Sequence, residues 1–385
     1  MMDFETFGTT PRIIMGNGSL SALGGELARL NADSILIVTD SGVVKAGIIA
    51  RVEEVLHANA ISFSCFDKVV ADPPFDLVDD ALALLRQSGA KAVIGIGGGS
   101  ALDIAKVVSI AATNDGPIAE LFGIDLVKKP GIPLILVPTT AGTGSEVTPI
   151  VILSDPYEKL KKGIVSPYLH PSCALLDPSL TVGLPPAVTA ATGMDALIHA
   201  IEAYTSKNAT FLTDILAKEA MHLLFSNIRK AVADGSDMKA RENMLRGSLL
   251  AGMAFANAGV TAVHAFAYPI GAEFHIPHGV ANTIMLIPVM QFNMIGCLER
   301  IAKLADFFEI PTGGLSVREV AQKVIDTLDE LSNDLRVPRH LKDFGIHEEV
   351  VPELAAGVLK VTRLLANNPR KLLQQDAEAI YRAVL

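Results

Sequence analysis

The 385-residue chain has no tryptophan, and only five of its residues are tyrosine and three cysteine. Cys65, Cys173 and Cys297 lie far apart, with no CxxC spacing. That excludes a disulfide framework and fits a reducing, cytoplasmic compartment. A basic stripe is also missing. The formal net charge is −10, and the densest basic group (Lys159, Lys161, Lys162) is short. No nucleic-acid surface is expected from such a chain. The first residues, MMDFETFGTT, are polar and acidic, so they do not read as a signal peptide. There is no internal repeat and no low-complexity segment.

What the chain has is apolar surface to bury. Half of its residues are hydrophobic, the mean hydropathy is +0.40, and 31 residues are glycine. The length suggests two domains, because single cores stop growing near ~250–300 residues. The first half alternates short apolar runs with helical runs. SILIVTD (34–40), ISFSCFD (61–67), KAVIGIGGG (91–99) and PLILVPTT (133–140) read as strands, with helical segments after the first three. This alternation predicts an α/β domain: a parallel, Rossmann-like sheet with helices on both faces. From Pro185 a helical period takes over. The expected division is an α/β domain over 1–184 and an all-α domain over 185–385. The run from Gly247 to Ala272 has no Asp, Glu, Lys or Arg. It is long enough to suggest a membrane span. Asn257, His264 and Pro269 within it favour one buried central helix, and no membrane partner is expected.

Two loops carry phosphate-binding signals. GIGGGSALDIAK (95–106) follows a strand and opens a helix, where backbone N–H groups and the helix dipole favour an anion. Its GxGGGS spacing is not the GxGxxG fingerprint, and an ordinary tight turn stays open as an alternative. PTTAGTGSE (138–146) adds four hydroxyl side chains and two glycines after another strand, and its bland reading is a polar turn. Asp40 ends the first of these strands. An acid there binds ribose hydroxyls and repels a 2′-phosphate, which points to NAD(H) over NADP(H). The alternative role is a helix N-cap.

A second constellation lies in the helical half. In GMDALIHAIEAY (193–204), Asp195 and His199 are spaced i, i+4 and project from one helix face. His264 closes the apolar run and His278 follows fourteen residues later. One carboxylate and three imidazoles would suit Fe²⁺ or Zn²⁺ better than Mg²⁺ or Ca²⁺. The bland alternatives are a surface pair on the helix and a satisfied core histidine.

Taken together, GGGSALDIAK, PTTAGTGSEVTP, LTVGLPPAVTAATGMDALIHAIEAY, the HAFAYPIGAEFHIPHG stretch (264–279) and GVANTIMLIPVMQFN resemble the iron-containing (group III) alcohol dehydrogenases. The resemblance runs from FGTTPRIIMGNGSL to NNPR near residue 370. It implies an NAD(P)-binding α/β domain, an all-α domain, and a divalent metal, Fe²⁺ ahead of Zn²⁺, in the cleft between them. Carried over by position, the metal ligands fall on Asp195, His199, His264 and His278. The cofactor residues fall on Asp40, Gly97, Gly98, Gly99, Ser100, Thr139, Thr140 and Lys161. Several members of that family have a further histidine where this chain has Tyr268, so the proton relay is assigned to Tyr268 or His275. The implied activity is NAD(H)-linked interconversion of a small alcohol and its aldehyde or ketone, in a homo-oligomer. A 4-hydroxybutyrate-type dehydrogenase or a hydroxyacid–oxoacid transhydrogenase is the neighbouring alternative. Dehydroquinate synthase chemistry would need basic residues near the metal motifs, and 185–205 and 247–298 contain no Lys or Arg. A non-catalytic metal or nucleotide sensor is the remaining reading.

Overall fold

The computed structural model describes residues 5–157 and 160–385. The chain divides at Leu184/Pro185 into an α/β unit beginning at Gly8 and a helical unit running to Leu385, which also takes in residues 5–7.

The α/β unit is built on a six-stranded sheet. Its strands are β1 (Ile13–Met15), β2 (Ser34–Asp40), β3 (Ser62–Val69), β4 (Ala92–Gly97), β6 (Leu134–Pro138) and β9 (Cys173–Leu176). They lie in the order β1-β9-β6-β4-β2-β3, and every pairing is parallel. The helices are α1 (Leu23–Arg29), α2 (Ser41–Lys45), α3 (Ile48–Ala58), α4 (Leu77–Ser88) and α5 (Gly99–Ala111). The central strands β4, β6 and β9 are apolar at nearly every position because both faces are covered. Ile35, Ile37, Ile94 and Ile96 pack with Leu23, Leu27, Val52 and Leu56 from α1 and α3. Leu36, Val38 and Val93 pack on the other face with Val78, Leu85, Ile104 and Val108 from α4 and α5.

The chain leaves β2 toward β3 at one edge, returns to β4 on the other side of β2, and continues outward to β6. Adjacent strands β2 and β4 thus send their connections in opposite directions. Ligands of open α/β sheets bind at such a switch point, outside the carboxyl ends of the strands. Asp40 and Gly97 are the two residues that stand there.

A second sheet of three short strands was not anticipated from the sequence. It comprises β5 (Gly123–Ile124), β7 (Ile150–Asp155) and β8 (Leu160–Val165), in the order β5-β8-β7. Lys159 lies outside the described residues. Lys161 and Lys162 are paired with Asp72 at 2.6 Å and Asp155 at 2.8 Å, so they form no open basic patch.

The helical unit contains α6 (Pro186–Thr205), α7 (Phe211–Ala233), α8 (Met238–Ala258), α9 (Ala262–Phe274), α10 (His278–Asn293), α11 (Leu298–Phe307), α12 (Val317–Asp334), α13 (Val351–Lys360), α14 (Thr362–Asn367) and α15 (Gln374–Arg382). The run 247–272 corrects the expectation of one helix. It is the end of α8 and the start of α9, bent by 102°. Gly259, at φ +78°, closes α8, with its N–H bonded to the Phe255 carbonyl. Among the described residues one helix, His278–Gly296, is long and apolar enough to cross a membrane, and 67% of its apolar window is buried within the fold. That burial is what a core helix shows.

Candidate metal centre and nucleotide site

Three helices converge on the four residues singled out as ligands. On α6, Asp195 and His199 lie one turn apart, 2% and 4% exposed. His264 sits in the first turn of α9 and is also buried. His275 adopts the left-handed conformation, φ 55°, and ends α9. Three residues later His278 begins α10. One ligand atom from each of Asp195, His199, His264 and His278 lies within 4.8 Å of the others. Nε2 of His264 is 2.9 Å from Nε2 of His199 and 3.8 Å from Oδ1 of Asp195. Nε2 of His278 is 3.7 Å from the same oxygen.

These spacings suit a transition-metal ion. Donors bound tetrahedrally at about 2.1 Å stand about 3.4 Å apart. The lone pairs also face inward. Glu202 takes the Nδ1–H of His264, which leaves Nε2 bare toward the cluster. The Asn282 amide nitrogen lies 2.7 Å from Asp195 Oδ1, 3.1 Å from His264 Nε2 and 3.2 Å from His278 Nε2. Three acceptors collected around one point need a positive group among them. The residues fit a divalent ion.

Electrostatics follow from burial. Burial pushes the Asp195 carboxyl up, but the three imidazoles and the Asn282 amide outweigh it, and it stays below the usual carboxylate range. Burial lowers His199 to about 4. Its ring stacks on Phe255 at 4.2 Å and on His264 at 4.6 Å. A neutral imidazole is the form that ligates metal. The side chain of His278 is 31% exposed while those of Asp195 and His264 are 3% exposed, so the centre meets solvent on the His278 side.

Glu202 and Asn282 were missed in the sequence. Glu202 continues the Asp195–His199 face by one turn (i, i+4, i+7), and that spacing was the available signal. Asn282 stands one turn after His278, with nothing in its type to announce a role. Of the two relay candidates, Tyr268 has its ring 6.2 Å from that of His278, whereas His275 is exposed.

In the α/β unit most of the residues expected at a nucleotide site are neighbours. The Thr139 N–H donates to the Gly97 carbonyl. A methyl group on Gly98 would lie 3.6 Å from Thr140, and one on Gly97 would lie 3.2 Å from Asp40 Oδ2. Gly97, at φ +150°, is the position where backbone geometry requires glycine. Gly98 is the N-cap of α5 and brings no side chain to it, so the turn leading into Gly99 and Ser100 presents backbone amides. Asp40 does serve as an N-cap: its Oδ1 accepts from the N–H groups of Gly42 and Val43 at 2.8 and 3.0 Å. Its Oδ2 faces Gly97. Lys161, on β8, has its ammonium held by Asp72, not by the glycine turn.

The two loops are bolted together from below. Asp103 on α5 accepts from the Ser145 hydroxyl at 2.6 Å and the Ile152 N–H at 2.9 Å. Lys106, fully buried, donates to the carbonyls of Thr148 and Ile150 and to the Thr148 hydroxyl. Burial lowers its ammonium to about 8. Glu146 is buried, one carboxylate oxygen has no hydrogen-bond partner, and burial raises it to about 7.

A parallel nucleotide-type sheet, a separate helical unit and a buried Asp–His₃ cluster define a class of oxidoreductase. The model of "Iron-containing alcohol dehydrogenase" matches residues 10–178, and that of "Fe-containing alcohol dehydrogenase family, C-terminal" matches 189–385. Long-chain-alcohol dehydrogenase 1 of Geobacillus thermodenitrificans (strain NG80-2) is 43% identical over 96% of this chain and 94% of its own. The crystal structure of a 1,3-propanediol oxidoreductase superposes with a TM-score of 0.97 at 39% identity, covering all of both chains. Sulfoacetaldehyde reductase from Bifidobacterium kashiwanohense, solved in complex with NAD+, gives 0.89 at 29% identity over 99% of each chain. The chain belongs to the iron-containing alcohol dehydrogenase family. It is an oxidoreductase of alcohols and aldehydes.

Proposed function

We propose that this enzyme is an NAD(H)-dependent, divalent-metal-assisted dehydrogenase that interconverts a small, uncharged alcohol with its aldehyde or ketone. The observation that carries the reading is the meeting of Asp195, His199, His264 and His278 at one buried point. Bound there, a divalent ion, Fe²⁺ ahead of Zn²⁺, supplies Lewis acidity toward a carbinol or carbonyl oxygen, and NAD(H) accepts or donates the hydride.

The chain's own residues do the rest. The amides at Gly98–Ser100 hold the pyrophosphate, with Thr139 and Thr140 beside them. Asp40 keeps one oxygen for α2 and offers the other to a ribose hydroxyl. Phe255 covers His199 and excludes water from its face. Tyr268, beside the solvent-facing His278, passes the proton. We assign the enzyme to the cytoplasm, where its three free cysteines stay reduced, and expect a homo-oligomer. No Lys or Arg lies in 185–205 or 247–298, the segments that carry the ligands, and this favours an uncharged substrate over a hydroxyacid.

The test is metal analysis of protein purified without oxygen, coupled to NADH formation on short alcohols, diols and hydroxyacids. About one Fe or Zn per chain, with chelator-sensitive turnover of uncharged alcohols, is expected. Full activity of verified metal-free protein would overturn the metal assignment. Turnover of hydroxyacids alone would shift the reading to the transhydrogenase type.

A further inference from the structure

Glu202 is 1% exposed and receives four hydrogen bonds. Its two oxygens divide them. Oε1 accepts from the Thr261 N–H at 3.0 Å, the Thr261 hydroxyl at 2.6 Å and the Val263 N–H at 2.8 Å. Among the described residues, Oε2 accepts only from Nδ1 of His264. Thr261 has no side-chain cap to give α9, whose first amides would otherwise be unsatisfied in a buried elbow. Glu202 supplies that cap from α6. Asn368 takes the intervening Ala262 N–H at 3.3 Å.

We infer that Glu202 is a positioning residue with two separable tasks: Oε1 fixes the α8–α9 elbow, and Oε2 fixes the His264 tautomer whose bare Nε2 faces the cluster. This rests on reading Asp195, His199, His264 and His278 as metal ligands. The chemistry is directional. A carboxylate oxygen beside Nδ1 can only accept, so the ring proton stays on Nδ1 and the Nε2 lone pair is free to ligate. Other arrangements of the elbow would satisfy the amides equally well without touching the imidazole. The same side chain doing both ties the entry angle of α9 to the aim of its histidine.

Glu202→Gln separates the tasks. Its amide oxygen still caps Thr261 and Val263. Its amide nitrogen then faces Nδ1 as a donor, which favours the opposite tautomer and places a proton on Nε2, the ligating nitrogen. Glu202→Ala removes both contacts. The experiment titrates the full-length wild type and both variants with Zn²⁺ alone against a competing chelator. The Co²⁺ absorption spectrum and the thermal midpoint of each protein are recorded alongside. The expected result is one ion per wild-type chain, a 10- to 100-fold weaker affinity in Glu202→Gln with its midpoint near wild type, and loss of both affinity and stability in Glu202→Ala. Wild-type affinity and an unaltered Co²⁺ spectrum in Glu202→Gln would overturn the inference. So would a midpoint as low as that of Glu202→Ala. A wild type that binds no ion would defeat the ligand assignment itself, a result distinct from either.

Discussion

Gly279 and Ala191 touch through bare backbone. A methyl group on Gly279 would lie 2.1 Å from the Ala191 carbonyl oxygen and 2.7 Å from its carbon. This is where α10 presses on α6, one residue after His278 and four before Asp195 in their respective helices. Neither side of the contact is a flexible side chain that could turn away. Gly279→Ala must push the helices apart, at a cost of roughly 1–3 kcal/mol. It must also carry His278 away from Asp195. Denaturant melts and the metal-to-protein ratio of the variant should both fall; an unchanged ratio would mean that this contact does not set the ligand geometry.

Asp40→Asn is expected to change cofactor preference without loosening α2. The remaining carbonyl oxygen can still accept from Gly42 and Val43. The negative charge that opposes a 2′-phosphate is gone. The ratio of kcat/KM for NAD⁺ to that for NADP⁺ should drop by about tenfold. A ratio equal to wild type would leave Asp40 as a cap and nothing more.

Glu146 and Lys106 pull stability in opposite directions as pH rises. The buried Glu146 carboxyl titrates near 7 against an ordinary value of 4.5. The folded state therefore holds a proton that the unfolded chain releases, and stability is lost as pH rises through that window. Lys106 titrates near 8 against 10.5. There the folded state releases its proton first, so stability returns as pH rises from about 8. Each limb is about 3.5 kcal/mol at most, because moving a pKa by one on folding is worth about 1.4 kcal/mol. His170 and His199, both lowered by burial to about 4, push the other way below pH 6.5, so the acid limb is read as the difference in stability between wild type and Glu146→Gln in urea melts from pH 4.5 to 8. That difference should fall as pH rises toward 7, and one that stays flat would assign the limb elsewhere.

Tyr268→Phe should lower kcat by about 10- to 100-fold while leaving bound metal unchanged. His275→Asn should leave kcat within about twofold, because asparagine tolerates the left-handed backbone at the end of α9. The opposite pattern would make His275 the relay.

Much of this was legible because it is periodic or local. The strand SILIVTD is β2 from end to end, and Gly89 stops α4 with φ +66°. The Asp195–His199 pair follows from the 3.6-residue repeat. His264 and His278 were candidates by residue type, and the resemblance singled them out, since two histidines fourteen residues apart specify no geometry. The break at Gly259 was hidden because an uninterrupted apolar run looks the same whether it is one helix or two. The α9 side of the elbow is capped by Glu202, an acid 57 residues upstream of Gly259 that no local window contains. Asp103 and Lys106 were also passed over. They are charges in the most apolar helix of the α/β unit, and their partners, Ser145, Thr148, Ile150 and Ile152, arrive from a later strand and loop.

The four ligand positions span Asp195 to His278, and their segments meet only through long-range contacts. Asp195 and His199 come together as soon as α6 forms. His264 and His278 join them only after the chain has laid down α7 and α8, turned the 102° elbow and started α10. Closing that long a loop gains nothing until the last partner arrives. An ion that binds the four together therefore stabilises the finished helical unit and not its parts, by an amount that grows with the logarithm of its concentration. With the ion bound as proposed, metal supply in the cell would set how much of this protein is folded as well as how much of it is active.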